Sequence, residues 1–163
     1  MTRIERIPMS APKSALLERA LDQYSFCGAS VGSFMGPESC GHIQVFTDDG
    51  TSNPPYSFIG SQTLAAQYFG RQFADSAVGT RGLPDQRFGR SVASRYVEVS
   101  CTNRPARDLI VANTCGWWFQ YERLILPVEQ DAPLPAFVVF LDLQRKLRVL
   151  PEPSTPDLPT RSK

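Results

Sequence analysis

Three places in the chain carry side chains of the types that do chemistry. Residues 28–32 read Gly-Ala-Ser-Val-Gly, the G-x-S-x-G pattern of a hydrolase nucleophile elbow. In that device a strained strand-to-helix turn presents a serine hydroxyl to a downstream histidine base. Here the following residues, SFMGPES, make a poor helix, and no aspartate lies between Ser30 and the only histidine, His42. A flexible Gly/Ser loop is the better reading. Cys40 and His42 stand two apart with Cys27 upstream, but zinc takes ligands in pairs such as C-x₂-C, and no second pair exists. No metal site is expected, and His42 reads as the start of a strand. Glu122 and Arg123 adjoin in a strand pattern, so their side chains face opposite ways and do not form an acid–base pair. No catalytic residue is expected.

Composition narrows the field further. A chain of 163 residues is long enough for one domain with its own core. A net charge of +1 gives no electrostatic footprint for nucleic acid. No run of 18 apolar residues exists to span a membrane, and the first residues, MTRIERIPMSAPKS, lack the apolar core of a secretory signal. A cytoplasmic chain is expected. The four cysteines are too few and too spread to form a disulfide scaffold.

The element pattern is organised around residues 104–127, RPARDLIVANTCGWWFQYERLILP. Asp108–Cys115 and Trp117–Leu126 are rich in β-branched and aromatic residues and are separated by a turn at Asn113–Gly116. In the second strand Trp117, Phe119, Tyr121, Arg123 and Ile125 share one face; Trp118, Leu124 and Leu126 share the other. Large apolar groups on both faces put this hairpin at the centre of a sheet, with Pro105 and Pro127 as its brackets.

Upstream, residues 1–10 read as a flexible lead-in. Residues 13–24 carry Leu16, Leu17, Ala20, Leu21 and Tyr24 as one helical stripe. His42–Thr47 and Tyr56–Gly60 read as a strand pair around an Asp-Gly turn. Ser61 can cap a short helix over 62–69, and Asp85 a longer one over 86–102 that stops at Asn103 before Pro105. Ala136–Leu143 is a further strand whose Val138 and Phe140 need cover, which the first helix can supply. Burying those two is worth about 3–6 kcal/mol before entropy. Residues 144–150 are expected to leave the sheet, and the Pro-rich 151–163 to be a disordered tail, so the domain is placed at 11–150. The fold class is α+β: five antiparallel strands with helices inserted after the second.

Several fragments in this order resemble a bacterial subfamily of PAS domains: Tyr56–Ser61 (YSFIGS), Gly70 and Gly79, Tyr96 followed by Arg104–Pro105, and Tyr121–Pro127 (YERLILP). The likeness covers roughly residues 42–142. It implies a five-stranded antiparallel sheet with helices on one face and an N-terminal helix packing on the other. It also implies a non-enzymatic regulatory module that binds a small molecule or docks a protein partner, usually as a homodimer. Haem-binding members carry a histidine on the long helix, and residues 86–102 have none. The flavin photosensors carry Asn-Cys-Arg, where this chain has a turn at Asn113–Cys115. No cofactor is therefore expected. The residues available to a small ligand in an apolar pocket are Tyr96, Trp117, Tyr121 and Arg123, though each is also an ordinary packing residue. Leu17, Leu21 and Tyr24 of the first helix, with Val138 and Phe140 beneath it, are the candidates for the dimer interface. The alternative from another class is a small α+β enzyme or ligand carrier with a cone-shaped cavity. It would need titratable groups inside, and the scarcity of His and of interior Asp/Glu speaks against it.

Overall fold

The computed structural model describes residues 3–27, 30–51, 54–70, 72–73, 82–83, 85–114, 116–129 and 136–148. Six strands form one open antiparallel sheet: β1 (Arg3–Pro8), β2 (Ile43–Thr47), β3 (Tyr56–Ile59), β4 (Ala106–Thr114), β5 (Trp117–Val128) and β6 (Ala136–Arg148). Their spatial order is β1-β4-β5-β6-β2-β3. Among the described residues three named α-helices accompany the sheet: α1 (Ala15–Cys27), α2 (Leu64–Phe69) and α3 (Gln86–Thr102). The class is α+β, and the expected five strands are all present as β2–β6.

The sixth strand, β1, corrects the flexible lead-in expected at residues 1–10. Arg3–Pro8 pairs along β4 from Arg3↔Asn113 to Pro8↔Asp108. The segment RIERIP carries charge at Arg3, Glu5 and Arg6, and such charge suits a sheet edge. Ile4 packs against the buried cluster that holds Ile110 and Phe119. A second correction concerns residues 144–148, which stay in the sheet because β6 pairs with β5 as far as Trp117↔Arg148. A third concerns Pro127, which does not bracket β5 but lies inside it, opposite Phe137. Pairing with β4 ends at Ala106↔Ile125, so at Pro127 the strand has only β6 beside it and the missing N–H costs no ladder bond to β4.

The central hairpin closes tightly, with Thr114↔Trp117 as its last pair and Gly116 at φ 75°. A left-handed φ is where glycine is favoured. Along β4, Ala106, Asp108, Ile110, Ala112 and Thr114 are buried while the residues between them are half-exposed. The alternation marks the face covered by α2 and α3. Asp85 starts α3 by accepting from the backbone N–H groups of Arg87 (2.9 Å) and Phe88 (3.0 Å), and Asn103 ends it in the left-handed conformation at φ 48°. Thr63, rather than the expected Ser61, caps α2: its hydroxyl accepts from Ala66 N–H at 3.2 Å.

The opposite face carries α1. Leu17 and Ala20 pack on Ile43, Val45, Leu124, Leu126, Val138 and Phe140, so this helix does cover the two residues that needed it. The start of α1 is tied to the sheet by Glu122, whose Oε2 accepts from the backbone N–H of Lys13 (2.9 Å) and of Ser14 (3.1 Å). Gln144 donates to its other oxygen. The Gly79 fragment of the PAS likeness and the tail at 151–163 lie outside the described residues.

Candidate functional site

Between the sheet and the two inserted helices lies a cavity of about 40 Å³. Its floor comes from the sheet: Gln44 of β2, Tyr56 of β3, Tyr121 and Arg123 of β5, and Leu141 of β6. Its roof is Leu64, Ala65 and Phe69 of α2, Phe88, Val92 and Tyr96 of α3, and Leu83 between them. Pockets that enclose drug-sized ligands run to roughly 300–1,000 Å³, so this one as it stands admits waters or a very small molecule.

Arg123 is the central group. Its side chain is 1% exposed, and the carboxylate it meets, Asp108, is fully buried. Nη2 donates to Asp108 Oδ2 at 2.7 Å, and Nη1 reaches the carbonyl of Val92 at 3.4 Å. Arg95 Nη2 lies 3.3 Å from the other oxygen of Asp108, near enough for attraction but without hydrogen-bond geometry. Arg95 is also paired with Glu98 at the surface. Arg123 Nε is buried and has no hydrogen-bond partner. The guanidinium lies 6.0 Å from the centre of the Tyr96 ring, at the outer limit of a cation–π contact.

The electrostatics follow from this burial. Burial is the largest influence on Arg123 and acts against its charge, but Tyr96, Tyr121 and Asp108 together outweigh it and leave its pKa raised. Burial pushes the Tyr121 hydroxyl up to about 12, against the pull of the Arg123 charge. Tyr96 and Tyr56 are raised for the same first reason. Near neutral pH the site thus holds the Arg123 cation, paired with Asp108, and three un-ionised phenols. It offers donors that can hold an acceptor and offers no group that changes protonation in that range. Among the described lining residues there is no Ser, Cys, His, Asp or Glu.

Of the four residues expected to meet a ligand, Tyr96, Tyr121 and Arg123 come together here. Trp117 does not: it lies at the far end of β5, edge-on to Tyr68 with ring centres 6.0 Å apart and with Lys146 Nζ 4.4 Å over its ring. It shares a face with Tyr121, but strand length separates them. Gln44, Tyr56 and Asp108 belong to the site and were missed. Asp108 had a signal, since a turn at Asn113–Gly116 sets it directly opposite Arg123.

The other expectations fall as follows. Leu17, Val138 and Phe140 are buried within the chain itself and present nothing to a partner. Leu21 and Tyr24 are half-buried beside them. Cys40–His42 forms a 3₁₀ turn ahead of β2 rather than its first residues. Ser30 caps another such turn, its hydroxyl 2.9 Å from that of Ser33. Among the described residues no group of three or more His, Cys, Asp or Glu is placed to hold a metal, and no helix is long and apolar enough to cross a membrane. No protein-family model matches the chain, and comparison with curated proteins and with solved structures gives no match.

Proposed function

We propose that this chain is a PAS-like regulatory module that senses a small molecule in the cavity between α3 and the sheet. The single observation that carries the reading is a buried arginine with an unused Nε–H in a tyrosine-lined cavity. A chain needing only a filled core gains nothing from a charge there, because apolar residues of similar volume are commonly as stable. The arrangement of elements supports the PAS likeness: β2–β6 are antiparallel, α2 and α3 fall between β3 and β4, and α1 covers the reverse face. The alternative, a small enzyme, would want a group that gains and loses a proton at working pH, and the lining supplies none.

Homodimerisation belongs to the same proposal, through a surface other than the buried one first expected. On the α1 side, the register places Ile7 beside Leu109 and Leu147 beside Trp118, with Val111 between the two pairs. Ile7 and Leu147 are 41% and 61% exposed, and apolar groups clustered on a sheet face suit a second copy.

Native mass spectrometry of the purified protein tests both parts. A small molecule retained in the folded protein is the expected result, and a bare protein that also ignores every added metabolite sinks the sensing role. Light scattering with Leu147→Glu should show a monomer where the parent is a dimer; an unchanged dimer rules out this face.

A further inference from the structure

We propose that the cavity takes a small aliphatic carboxylate, bound through the Nε–H of Arg123. This deepens the sensing reading and rests on it. A guanidinium N–H shut away from water without an acceptor is a costly arrangement, and native proteins rarely leave one unanswered. Two of the five N–H donors of Arg123 are used, toward Asp108 and the Val92 carbonyl; the Tyr96 hydroxyl stands near the guanidinium, and the Nε–H meets no acceptor in hydrogen-bond geometry. Arg123 lines the cavity, so the missing acceptor is supplied from there.

Charge favours an anion over a neutral acceptor. Asp108 is shared between two guanidinium groups, Arg123 and Arg95, so one buried carboxylate faces two cations. The second carboxylate of the group, Glu98, is half-exposed, where water screens its charge. A ligand carboxylate would answer both the free N–H and the surplus charge, as charge-assisted hydrogen bonds to arginine do elsewhere. Size and walls set the remainder of the molecule. The volume excludes long chains and flat cofactors, and the aromatic and aliphatic lining suits a short hydrocarbon tail. Tyr96 and Tyr121 keep their protons, so they bring no competing negative charge.

The Nε–H of Arg123 is itself the reporter, because a buried arginine N–H exchanges slowly enough to be followed by ¹⁵N NMR. Its signal is assigned by loss in Arg123→Lys or, where that variant does not fold, by its contact with the Tyr96 ring in the parent. The full chain is titrated with sodium acetate and sodium propionate, against acetamide and sodium chloride at matched ionic strength. The expected result is a saturating shift with one or both carboxylates, at least about tenfold weaker with acetamide, as loss of a charged hydrogen bond implies. Ala65→Leu fills the cavity from α2 without touching Arg123 or Asp108, and should abolish the shift in a folded protein. No saturable shift with either acid, or an equal response to acetamide, overturns the proposal. A neutral molecule retained in native mass spectrometry alongside that negative result would leave the sensing role standing and remove only the carboxylate.

Discussion

Asp108 and Arg123 stand opposite each other in the β4–β5 ladder and are joined at 2.7 Å with neither reaching solvent. Removing one partner of a buried pair strands the other charge, which costs about 3–5 kcal/mol, whereas replacing both by apolar groups is often neutral. Asp108→Asn should therefore lower stability by that order in urea unfolding. Asp108→Leu combined with Arg123→Met should recover most of the loss. A double variant as unstable as the single one would show that the pair holds the fold as well as the site.

Glu122 holds the backbone just ahead of α1 from across the chain, beside the local cap in which the Ser14 hydroxyl accepts from Leu17 N–H at 3.4 Å. Its carboxylate gathers the N–H groups of Lys13 and Ser14, more than a hundred positions earlier in the chain, from a side chain 1% exposed. Hydrogen bonds to a charged group are worth about 1.5–3 kcal/mol. Glu122→Ala should cost about that much, and the loss should be local. Hydrogen exchange is expected to speed up in Ala15–Cys27 while Gln86–Thr102 stays protected. Uniform acceleration across both helices would refute a role confined to α1.

Much of this architecture was legible in the sequence, and the parts that were not share a cause. Residues with a strong two-fold pattern were placed correctly: Val138 and Phe140 were seen to need α1, and Trp117 to Ile125 were sorted onto the right faces. Patterning fails where a strand is not covered. β1 and the end of β6 carry charged residues, because one lies at the sheet edge and the other is exposed over residues 143–147, so they read as loop. The site was half legible. Aromatic and cationic residue types pointed to Tyr96, Tyr121 and Arg123, but composition along a strand does not say how far a helix reaches, and Trp117 lies beyond the cavity. Gln44 arrives from β2, whose pairing with β6 is long-range, and Tyr56 from β3 on the far side of β2, a placement no local pattern encodes.

Gly60, the glycine of the YSFIGS fragment, has a steric rather than a conformational reason. A Cβ there would lie 2.2 Å from the backbone oxygen of Cys40 and 2.5 Å from that of Gly41, and backbone cannot swing aside as a side chain can. Its N–H also donates to the Ile43 carbonyl at 2.8 Å. Gly60→Ala should destabilise by about 1–3 kcal/mol or more, as overpacking does. Gly36→Ala, where a Cβ meets nothing within 4 Å, should change little by the same melting measurement. Equal melting temperatures for the two variants would contradict this contact.

The buried phenols set an alkaline limit on the fold. Tyr121 titrates at about 12 in the folded chain, with Tyr56 and Tyr96 also raised, against about 10 once unfolded. The folded state therefore holds protons that the unfolded state releases first. By linkage their contribution is fully present below about pH 10 and is lost as pH rises from there toward about 12. Unfolding midpoints in urea should be flat between neutrality and about pH 9.5 on this account, then fall steeply. Tyrosinate absorbance from the three buried phenols should appear only together with loss of secondary structure. Tyr121→Phe should move the onset of alkaline unfolding upward, since it removes one of the groups whose ionisation drives it. An onset unmoved by that change, with all five tyrosines ionising near 10 while the circular dichroism stays native, would mean that water reaches the cavity freely.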